Sequence, residues 1–146
     1  MRLPTAEDIN PFQDPDGQVA EQHFCGKSLE QAEALFREAP MTHQEDLMFM
    51  GASAFRFYVQ AATNYIRSDW ATGDADIINA FANILDLRME YQAEELQPIA
   101  SWLADICSYI VEHYDRFDLT PAAYGDLRPR YHALQQTFLQ QMETVR

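Results

Sequence analysis

Residues 52–67 read Ala-Ser-Ala-Phe-Arg-Phe-Tyr-Val-Gln-Ala-Ala-Thr-Asn-Tyr-Ile-Arg, the least polar stretch of the chain, without Pro or Gly. A run of this length makes about four turns of α-helix. At about 100° per residue, Ser53, Arg56, Gln60, Thr63, Asn64 and Arg67 gather in an arc of roughly 100°. Ala54, Phe55, Phe57, Tyr58, Val59, Ala61, Ala62, Tyr65 and Ile66 cover roughly 200°. An apolar arc that wide demands neighbours on two or three sides, so the stretch predicts a central helix with others packed around it. It is too short, and too rich in Tyr, Gln and Asn, for a membrane span, which needs about 20 mostly apolar residues. Ala54, Ala61 and Ala62 let partner helices approach closely, and the aromatic side chains fill the space between them.

Outward from this helix the chain continues the same pattern. With 146 residues, 47% of them hydrophobic and only 5 Gly, it has the composition of a compact protein. No convincing alternating run and no Asn-Gly or Asp-Gly hairpin separates apolar segments, so strand signals are lacking. The expectation is an all-α fold, a single-domain bundle of about five to six helices around the central apolar helix.

Residues 1–17, with Pro4, Pro11, Pro15 and Gly17 among Asp and Asn, read as an extended N-terminal arm, and residues 18–146 as a single helical domain. Ile9 and Phe12 are the arm's candidate anchors. Gln18–Phe24 reads as a short helix ended by Gly26, and Ser28 with Gln31 forms a capping box that starts another from Leu29 to about Ala39, where Pro40 stops it. Thr42 and Glu45 repeat the capping pattern before a short turn through Leu47–Met50. Residues 75–95 are clearly amphipathic, with Ile77, Ile78, Phe81, Ile84 and Leu85 on one face. Pro98 suits the start of a helix running to about Phe117 with Trp102, Leu103, Ile106, Tyr109 and Ile110 among its inward residues. Thr120-Pro121 starts one turn ended by Gly125. A last helix, Leu127 to about Thr144, carries a narrow stripe of Leu127, Tyr131, Leu134, Phe138 and Met142. That stripe offers a possible homodimer interface through the C-terminal helix.

The segment Ala54-Phe55-Arg56-Phe57-Tyr58-Val59-Gln60-Ala61 resembles the Phe-Arg-Tyr-Tyr-Leu-Pro-Ala segment that recurs in a family of small, uncharacterised bacterial proteins. The run Gln97-Pro98-Ile99-Ala100-Ser101-Trp102-Leu103 is similar to that family's second helical block. Gln60 stands where the family often has Pro, whose ring would kink the helix. The resemblance implies a helical fold and carries no activity with it.

The chain holds 23 acidic and 10 basic residues, a net charge of -13, and the excess of acid lies before residue 119. Such a field opposes nucleic-acid phosphate and anionic membrane surfaces; it either suits a basic protein partner or simply keeps the protein soluble. The two cysteines, Cys25 and Cys107, stand in no metal-ligand spacing and read as free thiols of a reducing compartment. The N-terminus has no apolar leader before its first acids, so the expected localisation is cytoplasmic.

Motifs that carry chemistry are sparse. The compact pair His23-Phe24-Cys25 supplies two metal ligands, too few for a site, and Ile110 occupies the place where a Glu-x-x-His pair would need an acid before His113. Cys107 and His113 lie about 120° apart on their helix and do not face each other as nucleophile and base. There is no P-loop, dinucleotide fingerprint or basic aromatic patch. No cofactor and no metal is expected.

Two surfaces remain as candidates. Arg88 and Gln92 project into the apolar arc of residues 75–95, and with His113, Tyr58 and Tyr65 they form a candidate polar core or pocket. Either Arg88 closes a structural network or it lines an anion-binding pocket. Opposite them Asp76, Asp86, Glu90 and Glu94 form an acidic stripe, a candidate partner surface. These features favour a non-enzymatic, acidic interaction protein, for example one that neutralises a basic partner as bacterial immunity proteins do. The alternative is an enzyme or small-anion-binding protein built around Arg88.

Overall fold

The computed structural model describes residues 2–143, and all regular secondary structure among them is helical. The chain forms two compact units, Met1–Trp70 and Ala71–Arg146. The boundary falls in the turn that follows the central helix.

The first unit contains α1 (Ala6–Ile9), α2 (Pro15–Phe24), α3 (Leu29–Glu38), α4 (Pro40–Phe49) and α5 (Ala52–Arg67). Residues 2–17 are therefore partly helical, whereas the sequence predicts residues 1–17 as an extended arm. Thr5 and Asp8 form a reciprocal capping box, with Asp8 N–H donating to Thr5 Oγ1 at 3.2 Å and Thr5 N–H to Asp8 Oδ2 at 2.8 Å. Pro15 occupies the first turn of α2, where a missing N–H costs nothing, and Asp14 caps it by accepting from Gly17 N–H at 2.6 Å. The same logic makes Pro40 both the end of α3 and the first residue of α4, so the short turn expected around 47–50 is a full helix. Ile9 is fully buried as an anchor, whereas Phe12 is 83% exposed and anchors nothing.

The central helix is α5, which packs against α1, α3 and α4. Ala54, Phe55, Tyr58, Val59, Ala61, Ala62, Tyr65 and Ile66 are buried, as the periodicity predicts. Thr63, placed in the polar arc by projection, is also buried, and its hydroxyl donates to Gln60 O at 2.9 Å. Gly51 precedes α5 at a crowded point. Its N–H donates to Ile9 O at 2.9 Å, and a Cβ there would lie 2.3 Å from Asp8 O, so only Gly lets α1 reach the start of α5. At the other side the Tyr58 hydroxyl lies 2.8 Å from the carbonyl oxygens of both Phe24 and Lys27. One buried O–H is thereby shared between two carbonyls at the end of α2, and burial pushes the Tyr58 phenol up to about 12.

The second unit contains α6 (Ala75–Leu96), α7 (Ala100–Glu112), α8 (Pro121–Tyr124) and α9 (Arg128–Glu143), with 3₁₀ turns at Gln97–Ile99 and Tyr114–Phe117. Thr144, the expected end of the last helix, lies outside the described residues. Helices α7 and α9 pack along each other, and the stripe Leu127, Tyr131, Leu134 and Phe138 is buried within this unit. Leu139 and Met142 stay exposed. The Tyr131 hydroxyl donates to Ile78 O and the Gln141 amide to Ala93 O, which ties α9 to α6 at two levels. Trp102, expected inward, is 39% exposed; Leu103, Ile106, Cys107 and Ile110 carry the buried face of α7.

Two outcomes follow. Ile66→Ala opens a cavity beside fully buried neighbours and should cost about 2–5 kcal/mol, whereas Tyr58→Phe, which keeps the ring and removes the hydroxyl from the Lys27 carbonyl and from the Phe24 carbonyl that also accepts from Lys27 N–H, should cost about 1–3 kcal/mol. Urea unfolding measures both, and losses below 0.5 kcal/mol, about the scale of surface changes, would place α5 at the surface. The second concerns thiols: Cys107 is buried and burial pushes its thiol up to about 12, while Cys25 is exposed. At mildly alkaline pH a thiol reagent should modify Cys25 rapidly and reach Cys107 only on unfolding. Two equally fast thiols would contradict the packing of α7.

Candidate functional site

The residues singled out in the sequence do not form one site. Tyr58 and Tyr65 belong to the first unit, where Tyr58 is bound as described and the Tyr65 hydroxyl reaches Trp70 O at 3.5 Å. His113 is exposed at the end of α7, stacked on Tyr109 with ring centroids 4.2 Å apart. Arg88 and Gln92 do meet, with Nη1 donating to Gln92 Oε1 at 2.6 Å. Gln92 has φ -144° and ψ 39°, so α6 kinks there, and the buried guanidinium spans the break. Burial lowers the Arg88 pKa to about 10. This geometry fits a structural pair that reconnects a broken helix.

The acidic stripe divides into two parts. Asp76 accepts from the Tyr124 hydroxyl, and Asp86 is held by Arg130, whose Nε lies 2.6 Å away while its Nη2 reaches Asn83 Oδ1 at 2.7 Å. Both acids are thus engaged inside their unit. Glu90 and Glu94 are exposed, and among the described residues neither side chain makes an ion pair or hydrogen bond. Beside them Tyr91 is 73% exposed and Leu87 38%.

A third group was not anticipated as a site. His23 comes from α2, and His43 and Asp46 stand three residues apart on α4, so both project from one side of that helix. Nδ1 of His23 lies 2.7 Å from Asp46 Oδ2, and Nδ1 of His43 lies 2.8 Å from the same oxygen. The two rings meet edge to face at 4.9 Å, and His43 is also edge-on to Phe24 and Phe36 at 5.6 and 6.1 Å. His43 and Asp46 are buried, and the His23 side chain is 35% exposed. Gln44, next to His43, is 1% exposed with neither amide atom hydrogen-bonded. A cavity of about 120 Å³ adjoins Asp46 and is lined by Asp16, Val19, Thr42, Glu45, Asp46 and Phe49.

The ligand atoms of His23, His43 and Asp46 all lie within 4.8 Å of one another, so His23 belongs to a group of three where the sequence offered only the compact pair His23 and Cys25. Cys25 lies outside this group. The legible signal was the spacing His43-x-x-Asp46 on a helix; what the spacing alone does not show is that α2 delivers His23 to it.

No family model, curated protein or solved structure matches the chain.

Proposed function

We propose that the protein is a non-enzymatic acidic interaction protein of the cytoplasm that binds a basic protein partner through the distal half of α6. The observation that carries this reading is Tyr91, 73% exposed, beside the unpaired acids Glu90 and Glu94. An exposed Tyr offers a large, rigid contact of the kind that dominates interface energetics. Flanking carboxylates attract a cationic surface and raise the rate of encounter. Leu87 extends the apolar part by one turn, and the overall charge of -13 adds a long-range field of the same sign. Asp76 and Asp86 contribute to that field while serving their own unit through Tyr124 and Arg130. Two free cysteines accord with a reducing compartment. Neutralising a basic partner, as immunity proteins do, is the role that fits this surface best.

A photoreactive amino acid at position 91, introduced in the native cell, should crosslink a basic protein that the same probe at position 132 does not. With the purified pair, association should slow markedly as salt rises, because charge steering is screened beyond about 10 Å at 0.1 M salt. Glu90→Gln with Glu94→Gln should slow association about tenfold or more at low salt, and Tyr91→Ala should speed dissociation with stability unchanged. Identical adducts from positions 91 and 132, or a pair insensitive to all three changes, would end this reading.

A further inference from the structure

We propose that His23, His43 and Asp46 form a binding site for a first-row divalent transition ion, with Zn²⁺ the best match to the donor set. Two imidazole nitrogens and one carboxylate oxygen are ligand types that Zn²⁺ takes, and three protein ligands leave a fourth position for water. The same donors serve Co²⁺ and Ni²⁺, whereas Mg²⁺ and Ca²⁺ favour sites built from oxygen.

The geometry needs little adjustment. An ion bound tetrahedrally at about 2.0–2.2 Å spaces its ligand atoms about 3.3–3.6 Å apart. Nδ1 of each histidine stands 2.7 and 2.8 Å from Asp46 Oδ2, so each ring needs to open from the carboxylate by less than about 1 Å, and the ligand atoms of all three residues already lie within 4.8 Å of one another. Each Nδ1–H faces the carboxylate oxygen as its donor. Binding moves that proton to Nε2, or releases one to solvent from a doubly protonated ring, and frees the Nδ1 lone pair for the ion.

Two further observations separate this site from an ordinary buried hydrogen-bond network. Helix α4 buries His43, Gln44 and Asp46 together, and Gln44 has no hydrogen bond for either amide atom. An unpaired buried amide opposes folding, so packing alone does not call for Gln44 here. The cluster is also open on two sides. His23 is partly exposed, and the cavity that adjoins Asp46 is lined by Asp16, Thr42 and Glu45 among others, residue types able to bond the ion's water. The ion would clip α2 to α4 across the aromatic cluster of Phe24, Phe36 and Tyr58.

The test uses the full chain stripped with a chelator, Co²⁺ as the spectroscopic probe and Zn²⁺ as competitor. The native protein should take up one Co²⁺ with the intense visible bands of a tetrahedral site, lose them to Zn²⁺, and gain thermal stability with added Zn²⁺ by mass action. His23→Gln, at a partly exposed position, and Asp46→Asn should each weaken Co²⁺ binding about tenfold or more, while Cys25→Ser and His113→Gln leave it unchanged. Circular dichroism establishes that each variant is folded, and His23→Gln decides the matter if Asp46→Asn is not. Absence of the visible bands, uptake indifferent to His23→Gln, or uptake that depends on Cys25 would each overturn the site. None of these outcomes bears on Tyr91 or its neighbouring acids, so the partner reading stands or falls separately.

Discussion

An apolar arc of roughly 200° on a helix of four turns cannot be covered by one neighbour. That constraint organises the first unit. Covering α5 brings α1, α3 and α4 against it, and the approach is close enough that Gly51 must lack a side chain where α1 passes. Burial of so many aromatic rings then creates a second requirement. The phenol of Tyr58 needs a partner inside the core, and it finds two carbonyls where α2 ends. The position of α2 is set by that hydroxyl as well as by apolar contact, and α2 carries His23.

Placement of His23 shows how a polar cluster arises from apolar packing. Once α2 and α4 are packed against each other, a histidine from one and a His-x-x-Asp pair from the other share a small space walled by Phe24 and Phe36. A buried carboxylate without compensation would be strongly unfavourable. Here two imidazoles compensate it through a single oxygen, and the ion proposed for this place would enter a frame that the packing of α2 on α4 has already formed.

The second unit resolves a different conflict. An arginine and a glutamine in the buried face of α6 cannot both be accommodated by a regular apolar seam. The helix breaks at Gln92 and the Arg88 guanidinium bonds across the break. Exposed acids follow a similar economy of partners: Asp86 is consumed by Arg130 from α9 and Asp76 by Tyr124. Glu90 and Glu94 are left to solvent beside an exposed tyrosine. The surface suited to a basic partner is therefore smaller than the stripe of acids and more apolar at its centre.

Periodicity, capping residues and turn residues by themselves determined the helical class, the extent of α3, α5 and α6, and most of the buried faces. Those features depend on neighbours within a few positions along the chain. Charge and thiol count likewise needed no coordinates. Only the tertiary structure decided which acids are paired, because Asp86 meets a residue 44 positions away. It also decided that His113 is exposed and Arg88 bonded to Gln92. Helix α1 escaped the sequence reading, and so did the first turn of α2 and most of α4, because Pro15 and Pro40 were weighed as breakers when they begin helices. The cluster of His23, His43 and Asp46 escaped it for a deeper reason: ligand convergence is a property of two helices in contact, and no spacing along one of them encodes the other's position.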